Sequence, residues 1–189
     1  MSCDITNGRI EQCKDSVSGL KSIYFINYDD LNPDSGITYV GATDEIQTWE
    51  PPSAVINLYK YELKGANSFE TTINSSRDNG TTFFQQTLTI QLKRQDPATH
   101  KNVKMLSYGR PRIVVRTMTD QFFLMGLTQG ADVTAGTVSS GTALGDFNGY
   151  NLTFEAMEVS PANFIDATTE ADLVTAFAYD GTDATIVTT

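Results

Sequence analysis

The sequence predicts a mainly β protein, an antiparallel β-sandwich or barrel with one long hairpin and one flanking α-helix. Apolar and polar residues alternate over 84–92, which is the period of a strand with one buried face. An Asn-Gly pair at 79–80 lies between two extended segments and is typical of a hairpin turn. The segment 96–109 has the end residues expected of a helix. The chain has 189 residues, 40% of them apolar, so we expect a single domain over 1–189.

The first predicted strands follow an N-terminal arm of about 20 residues. The segment KSIYFINY, 21–28, is aromatic and β-branched, and it ends at the turn-forming residues of DDLNPDSG. The three aspartates of that turn lack the spacing of an EF-hand, so we interpret them as turn residues and not as calcium ligands. A further strand is predicted over 54–63. Both of its faces mix apolar and polar residues, which suggests that the second face meets a partner or the lumen of an assembly.

A long hairpin is predicted over residues 67–92. In its second strand, one side is expected to pack in the core, and the other is polar and uncharged. The candidate core residues are Phe84, Leu88, Ile90 and Leu92. The candidate residues of the polar side are Gln85, Thr87, Thr89 and Gln91. A lone hairpin exposes an edge, so we expect something to cover it.

The segment 96–109 is the clearest predicted helix. Asp96 can cap its free N–H groups, and Pro97 suits the first helical position. Gly109 is expected as the left-handed residue past its end. His100 has no Cys or Ser partner in a catalytic motif, so we interpret it as a surface residue.

Two strands, a loop and a final strand are expected after the helix. The apolar segments RIVVRTM and QFFLMGL flank a turn as a second hairpin. Residues 128–146 are rich in small residues and predict either a mobile surface loop or a loop ordered by a neighbouring subunit. Alternation resumes at NGYNLTFEAME. An acidic segment over about 166–189 ends the chain, with a short helix at 168–178 capped by Thr168 or Thr169.

Charge is unevenly distributed along the chain. Residues 1–116 contain 13 acidic and 13 basic side chains, whereas residues 117–189 contain 10 acidic side chains and no basic one. The net charge of −10 therefore belongs to the second part. Such a surface repels phosphates, so we do not expect DNA or RNA to be held through neutralised phosphates.

Motifs for catalysis or cofactor binding are absent from the sequence. There is no Walker loop, G-x-S-x-G, H-E-x-x-H, CxxC or G-x-G-x-x-G, so we expect neither an enzyme nor a cofactor. Cys3 and Cys13 are interpreted as a reduced pair, with a disulfide as the alternative, and one histidine is too few to complete a zinc site with them. The opening residues lack the pattern of a secretory signal, and no apolar run has the length of a membrane span. We therefore expect synthesis in a cytoplasm without a membrane anchor.

The order of these elements resembles the tail tube (major tail) proteins of tailed bacteriophages. The resemblance lies in the succession of long hairpin, capped helix, apolar hairpin, small-residue loop and final strand NGYNLTFEAMEVSPANFI. The opening MSCDITNGRIEQCKDSVSGLKSIYFINYDD is also similar to virion structural proteins from phage morphogenesis gene blocks. The likeness extends over most of the chain.

The resemblance implies a specific role in the virion. Proteins of this family form hexameric rings that stack into a tube, through which DNA passes without specific binding. The strand 54–63 and the hairpin 67–92 would supply the inner sheet of the ring, and neighbouring subunits would cover its edges. The polar side of the hairpin would line the lumen or a ring face. The implied partners are further copies of the chain, the tail proteins at the tube ends and a sheath where one surrounds the tube.

Two other classes of function remain open. One is a different virion component, such as a head–tail adaptor, a tail terminator or a capsid-stabilising protein, which would form a single ring or decorate a shell. The other is a carbohydrate-binding or hydrolytic β-sandwich, whose cluster of aromatic and acidic residues would bind sugar in a monomer.

Overall fold

The computed structural model describes residues 8–11, 13–14 and 16–188. In chain order the strands are β1 (Leu20–Ile26), β2 (Ile37–Tyr39), β3 (Ile46–Trp49), β4 (Asn57–Glu62), β5 (Ser68–Ser76), β6 (Thr81–Lys93), β7 (Arg112–Thr117), β8 (Phe122–Met125), β9 (Asp132–Ser139), β10 (Gly149–Glu158), β11 (Asn163–Ile165) and β12 (Thr185–Val187). The helices are α1 (Pro97–Leu106) and α2 (Glu170–Ala176). The predicted mainly β class with a flanking helix is confirmed.

The strands form two sheets. The large sheet has eight strands in the order β12-β4-β1-β7-β8-β11-β3-β2, and the small sheet has four in the order β5-β6-β10-β9. Neighbouring strands are antiparallel except in two pairs, β3 with β11 and β4 with β12. Neither sheet closes into a barrel within the described residues, so the architecture is a β-sandwich.

The large sheet has a hydrophobic core on each face. From β1, Ile23 and Phe25 enter the first core, which lies between the two sheets and contains Leu88 and Phe154 of the small sheet. Alternate side chains of β1 and β7 enter a second core. Helix α2 covers this second core, with Leu173 and Phe177 fully buried in it. The middle strands of the large sheet are therefore buried on both faces, which explains their continuous apolar runs.

Glu170, in the first turn of α2, joins that helix to the large sheet. Its Oε1 accepts hydrogen bonds from Lys60 Nζ at 2.8 Å, Tyr24 Oη at 2.9 Å and Arg116 Nη1 at 3.0 Å. Partial burial raises the pKa of the Glu170 carboxyl, but the hydrogen bonds from Lys60 and Tyr24 outweigh it, so the pKa lies below its ordinary value. Arg116 also contacts Asp120, at 2.6 Å from Nη2. The carboxylate of Glu170, which belongs to the acidic part 117–189, thus binds the cationic side chains of Lys60 and Arg116 from residues 1–116.

The acidic C-terminal segment, about 166–189, is folded over most of its length. Thr169, one of the two predicted caps, is the N-cap of α2. Its side chain and that of Asp172 form a capping box. β12 then pairs with β4. The N-terminal arm has no helix or strand in its described residues before Leu20. Cys3 lies outside the described residues, and Cys13 is exposed.

Residues 128–146, expected as a loop, contain the strand β9. β9 pairs with β10 along its length, with one register shift between Thr153 and Phe154. The pairing favours a residue without a side chain at position 136, because a Cβ atom at Gly136 would lie 3.0 Å from the side chain of Leu152. Val133 also packs against the first core. The loop expectation is therefore wrong for 132–139, because small residues here allow close pairing with β10.

The predicted strand over 54–63 belongs to the large sheet, as β4. It pairs with β1 and β12 and not with the hairpin, so it does not share a sheet with residues 67–92. Its faces are mixed because Leu58 enters the second core, while Tyr59 and Tyr61 are only partly buried beside the first. The mixed pattern reflects a strand between two cores.

Helix α1 begins as predicted and ends differently. The side chain of Asp96 accepts hydrogen bonds from the N–H groups of Ala98 and Thr99, and Val103 is buried in the first core. The helix ends at Leu106, with Ser107 as C-cap, whose hydroxyl donates to the carbonyl of Val103 at 2.8 Å. Gly109 is not among the residues with positive φ, so its expected left-handed role is wrong. His100 is an exposed helical residue.

The Glu170 contacts predict an acid-dependent loss of stability. Because folding lowers the pKa of this carboxyl, its contribution is present above the ordinary glutamate pKa and is lost as the pH falls through the lowered value. We expect Glu170→Gln to lower the free energy of unfolding at neutral pH by on the order of 1 kcal/mol. It should also reduce the dependence of stability on pH in the acid range.

Urea denaturation followed by circular dichroism at a series of pH values measures both effects. Glu62→Gln is the matched control, because Glu62 lies 3.6 Å from Lys60 but its side chain is 77% exposed, against 32% for Glu170. Equal losses in the two variants would contradict a specific role for Glu170.

Candidate assembly interface

The outer side of the small sheet is a polar surface. β6 alternates along its length, so that Leu88, Ile90 and Leu92 are buried in the first core while the side chains between them point outward. These outward residues are the predicted set Gln85, Thr87, Thr89 and Gln91, all partly exposed. Strand pairing places further residues beside them on the same side: Ser68, Glu70, Thr72 and Asn74 of β5, Asn151, Thr153, Glu155 and Met157 of β10, and Ala135 and Thr137 of β9. We refer to these 14 residues as the polar face.

Charge on the polar face is acidic. It contains Glu70 and Glu155, which lie on either side of Thr87 in register, and no Lys or Arg. Lys93, at the end of β6, is the next residue on this side of that strand. Amide side chains connect the rows: Asn74 donates to Gln85 at 3.5 Å, and Gln85 donates to Glu155 at 3.4 Å. The polar groups of these 14 residues are thus hydroxyls, amides and carboxylates, and Lys93 places one cation at the end of the same side.

Phe84 was expected in the core but is only half-buried. It belongs to neither hydrophobic cluster of the described residues. The reason is that the hairpin of β5 and β6 extends beyond the first core, which ends at Phe69 and Leu88 on these strands. Its tip carries Ile73, 66% exposed, and Phe83, 38% exposed. The turn contains the predicted Asn79-Gly80 pair, and Gly80 has a positive φ of 62°.

Both edges of the small sheet are long, and within the described residues each is unpaired on its outer side, with one register shift (a β-bulge or irregularity) in the β9–β10 pairing. β5 has nine residues and β9 has eight, and each pairs with a neighbour on one side only. Neither strand contains Lys or Pro, two residues that natural proteins place on exposed edges to prevent pairing. The edges of the large sheet differ, because β2 and β12 have three residues each. Short edge strands are another common protection, so among the described residues it is the small sheet that presents unpaired backbone groups over a long distance.

A buried polar cluster fixes one end of the small sheet. Glu158, at the end of β10, accepts hydrogen bonds from the N–H groups of Thr128 and Gln129, both at 2.8 Å. Gln86 is also buried, and its Oε1 accepts the N–H of Gly126 at 3.0 Å. These two side chains hold the connection from β8 to β9, and so position the β9 edge. The sequence signal is a polar residue in phase with buried apolar ones, which is where a satisfied buried amide is expected.

The described residues show no arrangement for metal chemistry. No group of three or more His, Cys, Asp or Glu side chains among them is placed to hold a metal ion. In the first turn, Asn32 Oδ1 accepts the N–H of Asp34 at 3.0 Å, and Asp30 Oδ2 accepts a hydrogen bond from Asn27 Nδ2 at 3.0 Å. Neither α1 nor α2, the helices of the described part, is long and apolar enough to cross a membrane.

Comparison with known proteins gives no relative for this chain. No family model matches the sequence, and no curated protein or solved structure is significantly similar to it. Functional reasoning therefore depends on the geometry of the small sheet and of the surfaces around it.

The two sides of β6 should respond differently to substitution. Leu88→Asp buries an unpaired charge in the first core, so we expect the subunit to be unfolded. Thr87→Lys and Thr89→Lys place a charge on the partly exposed polar face, so the monomer should stay folded, with stability changed by about 0.5 kcal/mol or less. Thermal denaturation followed by circular dichroism measures this. If the threonine variants were unfolded and Leu88→Asp were folded, the assignment of the buried and exposed sides of β6 would be inverted.

Proposed function

We propose that this protein is a virion structural subunit that forms rings, and that the rings stack into the tail tube of a bacteriophage. The observation that carries the proposal is the pair of long, unpaired edges on the small sheet in the described part of the chain, β5 on one side and β9 on the other. The resemblance in element order suggests the same role. The protein is then a component of the virion tail, without catalytic activity.

Edge pairing gives a closed ring in this proposal. The edges are different strands at opposite ends of one sheet, so β5 of one subunit can pair with β9 of the next. Such a head-to-tail contact repeats around an axis and forms a ring when the rotation closes. Each contact satisfies the free backbone N–H and C=O groups of both edges. The result is one continuous sheet around the ring.

The polar face lines the lumen in this arrangement. A small sheet has one face on its own core, so the opposite face must point either to the axis or to the outside. The polar face suits the axis, because its 14 residues include two carboxylates and no cation, and Lys93 on the same side lies only at the end of β6. DNA would pass along it without being retained. The large sheet and α2 then lie outside, where further tail proteins and a sheath would contact them.

Stacking of rings would use the projecting hairpin. Ile73 is exposed beyond the first core and pairs with the half-buried Phe84, so two apolar side chains lie on one side of the hairpin near its tip, and Phe83, 38% exposed, lies on the other side. Apolar side chains exposed on both sides of the tip are available for contact with a neighbouring ring. A ring that forms without stacking would favour a head–tail adaptor or tail terminator as the function.

A charge-exchange pair tests the edge contact. Thr72 of β5 and Thr137 of β9 are exposed and lie on opposite edges, so charges at these sites meet only between subunits. Thr72→Lys combined with Thr137→Lys should weaken assembly, because like charges come together across the contact. Thr72→Lys combined with Thr137→Glu should assemble better than the double-lysine variant.

Light scattering at matched protein concentrations gives the mass of each assembly, and circular dichroism checks that the subunits are folded. Equal masses for folded double-lysine and lysine–glutamate variants would contradict pairing of these edges.

A further inference from the structure

A cleft of about 840 Å³ lies beside the large sheet, outside the polar face and the hairpin tip. One wall is formed by Tyr59 and Tyr61, which occupy successive positions on the same side of β4. Helix α1 contributes Asn102 to another wall, and Tyr108 stands after the helix with 85% of its surface exposed. Clefts of this size, lined by aromatic rings with a few polar groups, are typical of sites for small ligands.

The tyrosines of β4 form a pair of aromatic surfaces. Two residues along a strand advance by about 6.6 Å, so the two side chains are spaced along one wall of the cleft. Tyr61 accepts a hydrogen bond from Asn102 Nδ2 at 3.2 Å, which orients its ring. Burial raises the pKa of Tyr61, so its hydroxyl keeps its proton and remains a donor. Tyr59 makes no hydrogen bond through its hydroxyl within the described residues.

Charged residues also line the cleft. Asp29 and Asp132 are among them, and neither makes an ion pair or a side-chain hydrogen bond among the described residues, although Asp29 attracts the guanidinium of Arg112 electrostatically. The guanidinium of Arg110 also lines it and stacks on Tyr28, with 4.1 Å from Cζ to the ring centroid. Hydrogen-bond donors and acceptors are therefore both available, next to apolar ring surfaces.

These groups define the chemistry of a ligand. The carboxylates only accept hydrogen bonds, so the ligand must donate, whereas Arg110 donates only and needs an acceptor. The tyrosine rings need an apolar surface to pack against. A sugar meets all three needs, because its hydroxyls donate and accept while the C–H groups of its ring present an apolar face. The net charge of −10 disfavours an anionic sugar.

We propose that this cleft binds a neutral oligosaccharide. The inference goes beyond the tube function and does not depend on it, because the residues that carry it lie outside the small sheet and the hairpin tip, except for Asp132, which begins β9. It assigns a recognition role to the surface formed by β4, α1 and the residues that follow α1. The sugar would stack on the tyrosines of β4 and Tyr108, with its hydroxyls bound by Asp29, Asp132 and Arg110.

A glycan array with neutral, sialylated and sulfated oligosaccharides tests this proposal on the full chain. We expect binding to neutral oligosaccharides, and we expect the dissociation constant of the best one, measured by calorimetry, to rise at least tenfold in Tyr108→Ala and in Asp29→Asn. Both side chains are exposed, so neither variant should unfold the subunit. Tyr39→Ala is the matched control, because Tyr39 is an exposed tyrosine that does not line the cleft.

Three results would overturn the proposal. The first is an absence of binding to every neutral oligosaccharide, and the second is binding restricted to anionic ones. The third is an equal loss of affinity in Tyr108→Ala and Tyr39→Ala. Light scattering of Tyr108→Ala reports assembly separately. A loss of assembled mass in this variant, with no sugar bound by the parent protein, would assign the cleft to a neighbouring subunit and not to a sugar.

Discussion

Burial of the large sheet on both faces is the constraint on which the rest of the structure depends. The small sheet covers one face, and the other would expose the apolar side chains of β1, β7 and β8 if nothing lay over it. Helix α2 provides this cover through Leu173 and Phe177, whose burial is worth roughly 1.5–3 kcal/mol each. The acidic C-terminal part is therefore required for the fold, although its composition suggests a solvated segment. Glu170 fixes the helix in place by binding Lys60 and Arg116.

The small sheet is under a different constraint, because only one of its faces is used by the subunit. The first core needs the inward side chains of β6 and β10 and leaves their outward side chains free. Its edges are also free, while those of the large sheet are reduced to three residues. A protein that remained a monomer would gain nothing from two such edges and would risk aggregation. In the proposed ring, assembly through these edges would make this exposed part of the subunit the inner wall.

Prediction from the sequence succeeded where a pattern was local and long. The alternation around Leu88 predicts β6, the Asn-Gly pair predicts the turn before it, and Asp96 predicts the start of α1. β3, β11 and β12 have three or four residues, which is too few to show an alternating pattern, and they form because they pair with strands distant in sequence. β9 was not predicted, because most of its residues are small. Phe84 follows the alternation of the core residues, but alternation does not show where a strand extends beyond the sandwich.

Within the candidate interface, the polar side of β6 could be predicted from the sequence. The free edges could not, because they depend on the order of strands in the sheet.

The central claim is that the edges of the small sheet join subunits into rings that stack. Negative-stain electron microscopy of the purified protein across a range of concentrations tests it most directly, with light scattering for the mass of the smallest species. We expect rings with a central channel, and tubes of stacked rings as the concentration rises. A monodisperse monomer at every concentration would contradict the claim.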